Sequence, residues 1–185
     1  MGMVCEIQAL SASQIAAICA DPELASDVIF GPPEGEPAIL ADEPLREQFY
    51  MDKCWDLLRF MMNKAGGHDG PARTDWSSEL LVADEDADMG EVGAGYGPPY
   101  LRSIAETRKF ADFLQGLTLD HLLSHWNTQE MLKEIIYLVS EEKSPDKQEE
   151  TDRELREYAA SYYPSFRDYV LKAAEDQCGL MLWIG

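Results

Sequence analysis

Three groups of residues have types and spacings that could do chemistry. In "DEDADMGE", Asp84, Asp86 and Asp88 fall at the first, third and fifth positions of a calcium-binding loop, where carboxylates would ligate the ion. The template then fails: Met89 stands where the sharp turn needs glycine, and Gly95 stands where a bidentate glutamate would close the shell. His121 and His125, four apart, could turn both rings toward one metal if the segment is helical. Position 122 is Leu122, so the glutamate that makes HExxH a hydrolase is missing, and no third ligand is suitably spaced. "HDG" at 68–70 suggests part of a metal phosphohydrolase signature, but its companion motifs are absent and a turn is the simpler reading.

The glycines of "GEVGAGYGPP" could cradle phosphate only if they ran directly into a helix N-terminus. Pro98 and Pro99 intervene and the neighbouring acids would repel phosphate, so the stretch reads as a turn that lets Tyr96 and Tyr100 pack. No G-x-S-x-G elbow is present, and no cysteine has a base beside it in the chain.

The elements that must position such residues can be read from periodicity and caps. Alternation through "GMVCEIQAL" predicts a strand, and Ser11 with Gln14 forms a capping box ahead of a short helix. Four prolines and two glycines in residues 31–45 exclude a helix or a central strand there. "MDKCWDLLRFMMNK" is apolar almost all round and predicts a buried helix with Trp55 as a core anchor. "SELLVA" fits a helical turn or a strand equally. Ser103 and Glu106 form a second capping box, followed by Phe110, Phe113, Leu114 and Leu117 on one helical face.

Thr118 predicts a short helix through Trp126, and Asn127 with Glu130 predicts another that carries Leu132, Ile135, Ile136 and Val139. From Leu155 to about Gln177 one apolar face recurs at helical spacing, with Pro164 predicting a kink or a restart. Eight acids and four bases between Glu141 and Glu157 read as a solvated helix face laced with ion pairs. "CGLMLWIG" predicts a buried C-terminal strand. A strand at each end with helices between predicts a single α+β domain over 1–185, its terminal strands sharing one small sheet covered by several helices.

The whole-chain balance narrows the partners. Fifteen Lys and Arg against 35 Asp and Glu leave a formal charge of −20, which repels nucleic acid and anionic lipid and favours basic protein surfaces. Residues 1–100 hold 19 of the acids and 5 of the bases, so the N-terminal half carries most of the field. Cys5, Cys19, Cys54 and Cys178 form no CxxC pair and lie in apolar stretches, which predicts reduced, packed thiols and a cytoplasmic setting. Glu6 interrupts the start of any signal peptide, and no run reaches the ~18 apolar residues of a membrane span.

Several segments, in this order, resemble the YfbM-like family, a set of bacterial proteins classed as a domain of unknown function. They are "MGM" at 1–3, "KCWDLLRFMM" at 53–62, "GYGPPYL" at 95–101, "EMLKEIIY" at 130–137 and the closing "FRDYVLKAAEDQCGLMLWIG". The resemblance implies an α+β fold and a bacterial cytoplasmic protein, and it carries no family-wide catalytic activity. The chain departs from the family at Arg59, where the family usually has histidine, and at Pro99-Tyr100, where Ala-Arg-Tyr often follows Gly-Pro. No role of that histidine or arginine passes to this chain.

These readings favour a non-catalytic, acidic protein-binding module that needs no cofactor. Its expected docking residues are Asp84, Glu85, Asp86, Asp88 and Glu91 in the acidic loop, with Tyr96 and Tyr100 after it. Glu34, Glu36, Asp42 and Glu43 belong to the same expected surface. By analogy with other small acidic bacterial proteins, the sharpest form is a cytosolic immunity protein covering a basic toxin. The alternatives are a small metal-dependent enzyme using His121 and His125, and a housekeeping protein with a small-ligand pocket.

Overall fold

A strand from the start of the sequence and one from its end lie side by side. β1 (Cys5–Leu10) pairs antiparallel with β6 (Gly179–Ile184) along its whole length, from Cys5 opposite Ile184 to Leu10 opposite Gly179. β4 (Phe49–Asp52) flanks β1 and β5 (Tyr100–Arg102) flanks β6, giving one antiparallel sheet in the order β4-β1-β6-β5. A two-stranded ribbon, β2 (Ile39–Leu40) with β3 (Glu43–Pro44), lies apart from it. The computed structural model describes residues 2–31, 38–67, 95–97 and 99–185. The calcium-like triplet, "HDG" and "SELLVA" fall outside these.

Both faces of the central pair are covered, so β6 carries no polar side chain and β1 carries only Glu6 and Gln8. Cys5, Ile7, Ala9, Leu180 and Leu182 face the larger core, shared with α3 (Trp55–Ala65), α4 (Ile104–Gly116) and α7 (Pro145–Glu175). Leu10, Met181 and Trp183 face a smaller core closed by α1 (Ala12–Ala20) and α2 (Ala25–Phe30). Gln8 is the polar exception on that side, and its amide donates to the carbonyls of Ala9 at 3.1 Å and Arg46 at 3.0 Å. At Gly179 a side chain is impossible, since a Cβ would lie 2.3 Å from the Arg102 carbonyl oxygen and 2.5 Å from Ile15 Cδ1.

Side-chain caps start five of the helices, and the sequence marks four of those starts. Both capping boxes form, at Ser11 with Gln14 and at Ser103 with Glu106. Thr118 caps α5 (Leu119–Leu123), Asn127 caps α6 (Thr128–Lys133), and Ser144 caps α7 with Pro145 in its first turn.

The helix ends differ from expectation. α5 stops at Leu123, not Trp126, and α6 stops at Lys133. Ile136 N–H donates to the Met131 carbonyl at 2.9 Å and Ile135 N–H to that of Leu132 at 3.3 Å, with Ile135 at φ +56°. This is a Schellman closure, and it turns Ile135 outward instead of onto the apolar face. The same closure ends α7, with Gln177 at φ +56°. α7 itself runs as one 31-residue helix through Pro164.

Two side chains also exchange roles. Trp55 is only half-buried, donating to the Met3 carbonyl at 3.3 Å and stacked on Tyr137. Among the described residues Trp183 is the fully buried tryptophan. Of the four thiols Cys5, Cys54 and Cys178 are packed as expected, whereas Cys19 is exposed. Among the described residues no helix is long and apolar enough to cross a membrane.

Candidate functional site

Of the expected docking residues only Asp42, Glu43, Tyr96 and Tyr100 lie within the described chain, with Asp42 and Glu43 near one end of the sheet and Tyr96 near the other. Glu34, Glu36, Asp84, Glu85, Asp86, Asp88 and Glu91 lie outside the described residues. Asp42 is exposed at the tip of the β2–β3 ribbon, where it and Ala41 both take left-handed backbone, at φ +63° and +54°. Glu43 accepts a hydrogen bond from the Ser13 hydroxyl, and the hydroxyls of Ser13 and Ser11 hold its carboxyl below the usual range. That contact places it at the Leu10 end of β1. Tyr96 sits at the other end of the sheet, its N–H donating to the Ile184 carbonyl at 2.9 Å. Five residues of strand separate the two ends, about 17 Å. Tyr96 is 57% exposed, so it does not pack as the turn reading expected, while Tyr100 in β5 is half-buried.

His121 of α5 and His125, just past its end, do approach, with ring centroids 5.2 Å apart. His125 Nε2 is buried with no hydrogen-bond partner, and burial, then the neighbouring His121, holds the ring below the ordinary imidazole value. That favours a neutral ring. Among the described residues no three His, Cys, Asp or Glu side chains gather as a metal would require.

Among the described residues a concavity of about 1220 Å³ lies between α5, α6 and the first half of α7. Its apolar lining comes from Leu123, Trp126 and Leu132. Opposite, α7 and the segment before it supply seven carboxylates, among them Glu141, Asp146, Glu149, Glu150 and Glu157. Only Lys143, Arg153 and Arg156 oppose them. The acidic run therefore does more than face water: its helix forms one wall of a groove.

A chain of polar contacts fixes the groove. Trp126 Nε1–H donates to the Thr128 hydroxyl at 3.1 Å, and that hydroxyl donates to Asp152 Oδ2 at 2.5 Å. Gln148 Nε2 donates to Asp152 Oδ1 at 3.0 Å while its own carbonyl accepts from Glu142 N–H at 2.9 Å. From below, Lys64 of α3 bridges to Glu130 at 2.7 Å and Glu134 at 3.6 Å, tying α6 to the core. These bonds fix α6 against α7 and the core, and so set the spacing of the groove walls.

A second constellation surrounds the turn from β4 to α3. Asp52, at φ +55°, accepts from Tyr158 at 2.6 Å, Tyr50 at 3.2 Å and Tyr162 at 3.5 Å. Tyr158 also accepts from Lys53 N–H at 3.1 Å. Burial and the Asp52 carboxylate push all three phenols above their ordinary value, so they act as neutral donors that staple the turn to α7. Next to it, buried Asp56 accepts from Arg59 Nε at 2.6 Å and Tyr137 N–H at 2.8 Å. Arg59, the departure from the family pattern, here balances a buried carboxylate.

Neither the groove nor the tyrosine cluster was marked in the sequence as a site. The groove's acids read as a solvated face because their apolar partners lie on other helices. Asp52 gathers tyrosines from positions about 110 residues away, and no local spacing records that.

With this geometry the chain can be set beside known proteins. The model of a domain of unknown function, DUF1877, matches residues 1–183. The chain belongs to this family. A solved structure of a DUF1877-like fold, the protein of unknown function YfbM from Escherichia coli, superposes with a TM-score of 0.66 at 16% identity. The match covers 99% of this chain and 100% of that one, and at such identity it shows a shared fold alone. No curated protein matches. The DUF1877 assignment agrees with the resemblance carried by the ordered segments, and it supplies no activity.

Proposed function

We propose that this DUF1877 domain is a non-catalytic binding module that docks a basic segment of another protein. The observation that carries the reading is the groove between α5, α6 and α7, apolar on one side and acid-rimmed on the other. The rim of seven carboxylates against three bases repels anionic ligands and favours cationic ones, and the apolar patch beside it gives a protein segment a surface to pack on. A chain of charge −20 would also draw a cationic partner from a distance and orient it on approach. In its sharpest form the module is a cytosolic immunity protein that covers a basic toxin. The acidity supports a basic partner of either kind, harmful or not.

The test is recovery of the tagged chain from its native host at ~50 mM salt, where screening is weak. The expected partner is a single basic protein, released by raising salt to ~0.5 M, whose activity falls when the chain is bound. Absence of any basic partner at low salt overturns the reading. A partner whose activity is unchanged removes the immunity form and leaves the docking form.

A further inference from the structure

We infer that the occupant of the α5–α6–α7 groove is an amphipathic, Lys/Arg-rich helix from another protein, seated with its apolar face on Leu123, Trp126 and Leu132. The inference rests on the docking reading and adds the site and the form of the partner. Three observations favour a helix over an extended strand. The groove walls are helices and the turns between them, so they offer no free sheet edge with which a strand could pair. The α7 wall runs from Pro145 to Ala160, about 22 Å at 1.5 Å per residue, which accommodates roughly four turns of helix. The lining is segregated, apolar on the α5–α6 side and charged on the α7 side, and an amphipathic helix presents that same division.

The charge fixes which amphipathic helix. Seven rim carboxylates face three bases, so a helix with acidic flanks would meet repulsion and one with Lys or Arg flanks would find partners for them. Leu132 lines the groove and is half-buried, yet it is not among the side chains packed on the larger core. Its open face is available to a ligand. Trp126 is oriented by its bond to Thr128, so its ring is presented in one position.

The experiment uses the full chain and two synthetic peptides of about fifteen residues with one composition of Lys and Leu. In one, leucines recur at i, i+3, i+4 and i+7; in the other they are scattered. Affinities are measured by calorimetry at ~50 mM salt. The amphipathic peptide is expected to bind at least tenfold more tightly than the scattered one. The double charge reversal Glu149→Lys with Glu157→Lys, both exposed, and separately Leu132→Ser, are each expected to weaken it at least tenfold while the melting temperature stays unchanged.

Equal binding of the two peptides, or indifference to both variants, overturns the helix-in-groove inference even if a basic partner is captured elsewhere on the chain. A wild-type dimer in sedimentation that Leu132→Ser dissolves overturns it too, because the occupant would then be a second copy. Loss of all basic partners would instead remove the docking reading beneath it.

Discussion

Ile135 is a β-branched residue in left-handed backbone, with its side chain 87% exposed. Left-handed backbone costs a non-glycine residue about 1–2 kcal/mol, and a side chain so exposed recovers little by packing. Ile135→Gly is therefore expected to stabilise the chain by up to about 1 kcal/mol, read as a higher urea midpoint with an unchanged slope. Trp183, with 1% exposure, lies at the opposite extreme: Trp183→Ala should cost ~3–5 kcal/mol and Trp55→Ala clearly less, by the same titration. The thiols separate in the same way. Burial pushes Cys54 up to about 12, so on native protein an alkylating reagent is expected to label exposed Cys19 first, as peptide mapping would show. The sequence could not rank the two tryptophans or the four cysteines, because type and local spacing say which residues are apolar and not how deep each lies.

Helix starts were legible because the cap that makes them is local: Ser11 with Gln14, Ser103 with Glu106, and the side chains of Thr118 and Asn127 all bond within three residues. Helix ends were legible only in part: α7 closes near Gln177 as read, but α5 and α6 stop early, and Ile135 closes α6 without the glycine that normally signals such a stop. Of the two readings at Pro164, a restart is removed, since α7 continues through it. It withholds the N–H that would reach the carbonyl of Ala160, and it is exposed, so Pro164→Ala is expected to raise stability by roughly 1–3 kcal/mol without shortening the helix by circular dichroism.

Just past α5, His125 gives a pH dependence whose sign follows from its depressed value. The unfolded chain, with an ordinary imidazole near 6.5, takes up a proton that the folded chain resists. Stability that His125 contributes above that pH is thus lost as pH falls from about 6.5 toward the lower folded value. Between about pH 7.5 and 5.5 the wild type should lose more stability than His125→Gln. Parallel losses would show that His125 titrates alike in both states.

The α+β class, the terminal strands sharing one sheet and the covering helices were all readable from patterning, because a run apolar on nearly every residue demands cover on both sides. The groove was not, since it is made by three helices whose lining residues on the two sides lie 9 to 37 positions apart. At this scale the net charge of −20 is a load on the folded state. Raising ionic strength from ~0.01 M to ~0.15 M shortens the screening length from about 30 Å to about 8 Å, and the melting temperature is expected to rise with it.

The pairing of β1 with β6 also sets a clock. Leu10 leaves the ribosome 169 residues before its partner Gly179, and at ~5–20 residues per second that is roughly ten to thirty seconds of synthesis. For that interval β1 is an apolar strand with its main partner unmade, and helices α1 to α7 emerge before the sheet they cover can close. Newborn chains should therefore depend on a holding chaperone, and a ribosome stalled before Gly179 should present a chain that proteases cut where the finished one resists.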